Sequence, residues 1–133
     1  MKLLILLSMI FCHIVDDYYL QGWLASAKQK EWWEKNAPQK LYKHDYIVAL
    51  FMHSFSWSFM ISVPLFLYSI LVAGAKNEDI YYISFLMVLN LICHMLVDNM
   101  KCNKKIINLI TDQSIHILQI ICTFGCCYYL FIK

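Results

Sequence analysis

Leu91-Ile92-Cys93-His94-Met95-Leu96-Val97-Asp98 decides how this chain is read. It closes an apolar run that begins near residue 79. It also carries a histidine and an aspartate where a membrane helix should carry neither. Ionisable groups are costly in hydrocarbon and face a bundle interior, where they bind, relay or catalyse. Spaced i,i+4, the two side chains share one helix face. The pairing recurs as His13-x-x-x-Asp17, followed by Gln21, and in reverse order as Asp112-Gln113-x-x-His116. A fourth apolar stretch carries His53 without an acid at i,i+4.

Composition agrees with a membrane setting. Hydrophobic residues make up 61 % of the 133 positions and charged residues only 15 %, far from an ordinary soluble domain. The net charge of +2 is too small to indicate nucleic acid, and no basic-aromatic patch supports it. The 6 cysteines include no C-x-x-C pair, so a zinc ribbon or thioredoxin-type site is not signalled. Inside apolar runs they act as small hydrophobes.

The expected fold class is all-α, a polytopic membrane helical bundle with about four transmembrane helices in one domain, residues 1–133. The segments run over about 2–21, 46–73, 79–100 and 106–132. The start imitates a signal peptide but lacks a small-residue cleavage site, so it is expected to stay as the first helix. The second segment exceeds the roughly 20 residues a span needs, and Pro64 can kink it. Between the first two lies an amphipathic Trp/Lys-rich interfacial loop at about 22–45. Its tryptophans Trp23, Trp32 and Trp33 and its five lysines suit the headgroup level. Pro38 breaks any helix there.

Eight of the eleven lysines fall in the first and third connections, and only Lys2, Lys76 and Lys133 on the other side. The positive-inside rule then places the lysine-rich loops in the cytoplasm and both termini outside a cell (inner) membrane. With that topology, all the polar motifs come within roughly 5–15 Å of the cytoplasmic helix ends. Helices one and three run toward the cytoplasm with His before Asp, and helix four runs away with Asp before His. The expectation is one layer, with His13, His53, His94 and His116 deeper and Asp17, Asp98 and Asp112 shallower.

Histidine nitrogen with carboxylate oxygen suits a divalent metal, zinc first, with iron or manganese as alternatives. The expected ligands are His13, Asp17, His53, His94, Asp98, Asp112 and His116. A carboxylate not used as ligand, Asp17 or Asp98, is the candidate general base. Gln113 and Gln21 can orient ligands or donate to a substrate oxyanion. Lys28 and Lys101 could hold a phosphate, but cytoplasmic lysines are more often topology and lipid contacts. Asp16 points off the Asp17 face in an α-helix and is read as a helix-end or headgroup-level residue.

The chain resembles a family of small bacterial and phage membrane proteins known as domain of unknown function 3307. The resemblance lies in His13-Ile14-Val15-Asp16-Asp17-Tyr18-Tyr19-Leu20-Gln21, Lys28, Leu50-Phe51-Met52-His53, His94-Met95-Leu96-Val97-Asp98, Lys101 and Asp112-Gln113-x-x-His116. It implies a helical membrane fold with those polar positions as the site. The pattern is also loosely similar to membrane-bound metal-dependent hydrolases. The functional expectation is therefore a metal-dependent hydrolase acting on a phosphoester or lipid-like substrate. Its rivals are an ion- or proton-binding or transport protein, a haem-binding bundle, and a phage or bacterial accessory protein without catalysis. The partners expected are membrane lipids and, for a pore, further copies of the chain.

Overall fold

A computed structural model describes residues 1–74 and 76–132. Helix α1 spans Lys2–Ile14 and widens into a π-helical turn, Val15–Leu20. Two short helices, α2 (Leu24–Ala27) and α3 (Lys30–Asn36), fold the first connection. Helix α4 spans Asp45–Leu71 and α5 spans Asn77–Cys102. Helix α6 spans Leu109–Cys127 and ends in a second π-helical turn, Tyr128–Ile132. No strand occurs among the described residues. The fold is a helical bundle, and four of its helices are long and apolar enough to cross a membrane. Lys133, part of the lysine tally above, lies outside the described residues.

The helix ends follow local chemistry. Asn108 accepts a hydrogen bond from the Thr111 amide at 2.9 Å, so α6 begins later than the apolar pattern alone predicts. Asp79 accepts from the Lys76 amide at 3.1 Å at the start of α5. Helix α3 stops at Asn36, two residues before Pro38, as the chain turns extended. Pro64 does not end α4, which runs unbroken around it.

Helix α4 is the centre of the bundle and packs against α1, α2 and α5, while α6 closes the ring against α5 and α1. Its buried face carries Ala49, Leu50, His53, Ser54, Trp57, Ser58, Ile61, Ser62, Leu65 and Ser69. Ser54, Ser58 and Ser62 each donate to the carbonyl one turn back at 2.8 Å. Their hydroxyls are thus satisfied within their own helix, and their small size lets neighbouring backbones come close.

The bundle is inside-out by soluble standards. His13, His53, His94, His116, Asp16, Asp17, Asp98 and Asp112 are buried, while Leu3, Leu4, Leu7, Phe11, Phe59, Phe85 and Leu118 are exposed. An apolar exterior over a polar interior is what lipid selects, and in water it would be an aggregation surface. The interior also divides lengthwise. Ile5, Met9, Ile61, Leu65, Ile83, Ile120 and Cys127 form an apolar core at one end. The polar residues occupy the other end, beneath the connections at 21–44 and 103–108.

Ser58 tests this packing. Ser58→Ala removes a hydroxyl bonded only to its own helix and should cost less than about 1 kcal/mol. Ser58→Leu adds volume at a fully buried position and should cost about 1–3 kcal/mol. Thermal unfolding in detergent reads the difference, and equal melting of both variants would contradict close packing there.

Candidate metal centre at the polar end of the bundle

Each long helix contributes. The last turns of α1 and its π extension supply His13, Asp16 and Asp17. The first half of α4 supplies His53, Ser56 and Trp57. The end of α5 supplies His94 and Asp98, and the start of α6 supplies Asp112, Gln113 and His116. The four helices alternate in direction, so these ends meet, and the reversed order on α6 stacks the His116 ring on His94 with centroids 4.0 Å apart.

His53 Nε2 lies at the focus. It is 3.2 Å from His94 Nε2, 3.3 Å from Asp17 Oδ1 and 3.2 Å from Asp98 Oδ2. His116 Nε2 lies 3.3 Å from Asp98 Oδ1 and 3.4 Å from Asp112 Oδ1. His94 Nε2 lies 3.7 Å from Asp98 Oδ1. Two buried triads, Asp17/His53/His94 and His94/Asp98/His116, each bring one donor atom per residue close enough to share an ion. His94 belongs to both, so the triads describe one centre. These buried His/Asp groups can hold a metal ion.

The spacings carry information. Charge-assisted hydrogen bonds close to about 2.7–2.9 Å. Lys28 Nζ to Asp98 Oδ2 and Lys101 Nζ to Asp112 Oδ2 are both 2.6 Å, so this interior closes hydrogen bonds fully where it makes them. The imidazole and carboxylate donors stay wider apart. Metal–ligand bonds of about 2.0–2.2 Å put neighbouring donors of a tetrahedral site about 3.3–3.6 Å apart. Within the two triads, the pairs Asp17/His53, His53/His94, His94/Asp98 and Asp98/His116 stand 3.2–3.7 Å apart, close to that edge length.

Charge points the same way. Four buried carboxylates, Asp16, Asp17, Asp98 and Asp112, meet two lysine ammoniums, Lys28 and Lys101. With neutral histidines and every carboxylate ionised, two negative charges remain in a low-dielectric interior, which is unfavourable. One divalent cation or two protons would balance them.

Surrounding groups orient the rings. The Gln119 carbonyl oxygen faces His116 Nδ1 at 3.1 Å, while its amide nitrogen donates to Asn90 at 3.4 Å and Asn90 donates to Thr123 at 2.7 Å. An acceptor at Nδ1 favours the tautomer with its proton there, in which the Nε2 lone pair is free for the centre. Asp16 Oδ2 faces His53 Nδ1 at 4.0 Å, and neither atom has a hydrogen-bond partner among the described residues. Ser56 holds the other Asp16 oxygen at 2.5 Å. Trp57 stacks on His94 with ring centroids 4.1 Å apart and donates to His13 Nδ1 at 2.7 Å.

The sequence-derived residues divide accordingly. His53, His94, His116, Asp17 and Asp98 converge. Asp112 stands one step out, bound by Lys101 and Gln113. His13 has its Nδ1 occupied by Trp57 and lies in neither triad. Gln113 gives its amide to Asp17 Oδ2 and Asp112 Oδ2, both at 3.0 Å, so it orients carboxylates. The histidine rings gather against Trp57 and the carboxylates against the lysines. His53 joins the two groups, so the expected layers interlock.

Two residues depart from the sequence reading, and a third, Trp57, was not among its candidates. Asp16 is 1 % exposed, not a helix-end group, because the π turn advances less per residue than an α turn and points adjacent aspartates inward together. Lys28 is 8 % exposed and pairs with Asp98 instead of lipid. It gets there because Gly22, at φ +45, reverses the chain and Asn103 grips the loop, accepting from the Lys30 amide at 2.7 Å and donating to the Lys28 carbonyl at 3.1 Å. Trp57 is fully buried as the ceiling of the centre. Two adjacent acids in an apolar segment were the available signal for Asp16. Nothing local marks Lys28 among its neighbours.

A cleft of about 380 Å³ opens beside the centre, lined by Asp17, Gln21, Lys28, Lys101 and Gln113 with Tyr18 and Tyr19 at its edge. Asp17 is its one carboxylate among the described residues. Fold and site together define a helical bundle able to cross a membrane, with buried His/Asp groups able to hold a metal ion. Comparison with known proteins finds no family model, no curated protein and no solved structure that matches the chain.

Gln119 gives a direct check on the centre. Zinc titration against a competing chelator should show affinity about 10- to 100-fold weaker in Gln119→Leu and close to wild type in Gln119→Glu, which keeps an acceptor at His116 Nδ1. Equal affinity in all three proteins would remove Gln119 from this role.

Proposed function

We propose that this protein is an integral membrane metal-dependent hydrolase that cleaves a phosphoester. The observation that carries the reading is the set of buried donors from four helices, spaced as metal ligands, beside a cleft bordered by two lysines. The proposed ligands are His94, Asp98 and His116, a triad that leaves a further position for water, with zinc ahead of iron and manganese because imidazole and carboxylate suit it. The proposal includes the cell-membrane location with the lysine-rich loops in the cytoplasm, and kinship with the domain of unknown function 3307 family that the residue pattern resembles.

A divalent metal held there supplies a Lewis acid and lowers the pKa of a bound water toward neutrality. The chain's own residues supply the rest. Asp17 lines the cleft and touches the centre through His53, so it takes the proton of the attacking water. Gln113 and Gln21 hold Asp17 in place, the first through Oδ2 and the second through its backbone carbonyl. Lys28 and Lys101 face the anionic oxygens of the ester. Water adds to phosphorus, the bond from phosphorus to the leaving alcohol oxygen breaks, and the proton held on Asp17 passes to that oxygen. Asp98, paired with Lys28 and away from the cleft, serves as ligand and not as base.

One-sided access favours an enzyme over a conduit. The cleft reaches the centre from the polar end, while Trp57, Ile61, Leu65, Ile83 and Ile120 fill the bundle beyond it. A transport path would have to cross that apolar plug.

Hydrolysis of a water-soluble aryl phosphate by the purified protein tests the reading. Chelation should abolish it and zinc restore it. Asp17→Asn should lower kcat by about 10²–10⁴-fold with bound metal largely retained. Activity indifferent to chelator or to Asp17→Asn would overturn the assignment, as would ion flux in liposomes that tracks these residues without ester turnover.

A further inference from the structure

The cleft does not end at its polar walls. Tyr18, Tyr19 and Gln113 also line a second groove of about 440 Å³, completed by His13, Ile14 and Ile117. This groove follows the seam between α1 and α6, and its walls away from the centre are apolar. Ile14, Tyr18 and Tyr19 are exposed on the face that a bilayer would cover. Polar cleft and apolar groove are thus continuous, meeting at Gln113 beside Asp17. Lysine ammoniums stand at one end and hydrocarbon-compatible walls at the other.

That shape fits one molecule of mixed character. We propose that the substrate is a membrane lipid with an anionic phosphate headgroup, which enters sideways between α1 and α6. Its headgroup rests in the cleft bordered by Lys28 and Lys101, and its acyl or alkyl chain lies along Ile14 and Ile117. The occupant follows from the two lysines that line the cleft, each paired with a buried aspartate, and from the lining that the apolar groove shares with it at Tyr18, Tyr19 and Gln113. Tyr18 and Tyr19 sit where the two meet, at the depth where amphipathic aromatic rings are favoured. A water-soluble phosphoester would use only the polar half. This inference rests on the hydrolase reading for the fate of the lipid but not for its binding.

Photolabelling separates the two. The probe is hexadecyl phosphate with a diazirine in its alkyl chain, presented to the full chain in phosphatidylcholine vesicles. Label should concentrate on the α1–α6 seam, at Ile14 and Ile117. Unlabelled hexadecyl phosphate should compete, and inorganic phosphate or hexadecanol at the same concentration should not. Ile117→Trp, which fills the groove, should cut labelling about tenfold while leaving hydrolysis of the soluble aryl phosphate unchanged. Label spread evenly over the lipid-facing surface would overturn the proposal. So would competition by inorganic phosphate as strong as by hexadecyl phosphate, which would make free phosphate the ligand. Seam labelling without turnover of any ester would sink the hydrolase reading alone. Turnover of aryl phosphate without seam labelling would sink the lipid route alone.

Discussion

Four carboxylates buried at one end of an apolar bundle are the constraint on which the rest of the structure depends. A carboxylate removed from water must find a cation or a set of donors. Lys28 and Lys101 provide two ammoniums at 2.6 Å. Gln113, Ser56 and the imidazoles provide further partners. Much of the chain's irregularity serves this end. The π turn points Asp16 and Asp17 inward together. The positive φ of Gly22 and the grip of Asn103 bring Lys28 back from a loop that could otherwise have stayed at the surface. What the side chains leave unbalanced, a divalent ion can complete.

The same constraint explains the division of labour along the bundle. Ser54, Ser58 and Ser62 close their own hydrogen bonds and let α4 sit tightly among its neighbours. The apolar core around Ile61, Leu65 and Ile83 then anchors the helices far from the centre. Apolar packing is concentrated at one end and the buried ionisable groups at the other. The exposed leucines and phenylalanines are an ordinary outer surface once the surroundings are lipid.

Much of this was legible in the sequence because two periodicities carry it. Long apolar runs marked four helices, and i,i+4 spacing placed His94 with Asp98 and Asp112 with His116. The reversed order on the fourth segment foretold that like residues would meet, as the His94 and His116 rings do with centroids 4.0 Å apart. What stayed hidden depended on geometry that spacing does not encode. Asp16 was misread because a regular α-helix was assumed where the chain forms a π turn. Lys28 was misread because its place depends on a tertiary contact from Asn103, 75 residues away. Trp57 was not a candidate, yet its indole N–H occupies Nδ1 of His13, which lies in neither triad. Burial of a donor cannot be read from composition when every neighbour is apolar.

The central claim is that imidazole and carboxylate side chains gathered at the polar end of the bundle form a metal centre. X-ray absorption at the zinc, iron and manganese edges of the purified protein tests it most directly. The account predicts about one metal per chain, with nitrogen and oxygen neighbours at about 2.0–2.2 Å and the outer-shell scattering of imidazole rings, all lost in His94→Ala. Wild-type protein with no more metal than His94→Ala, or a metal ringed by sulfur from the cysteines, would contradict it.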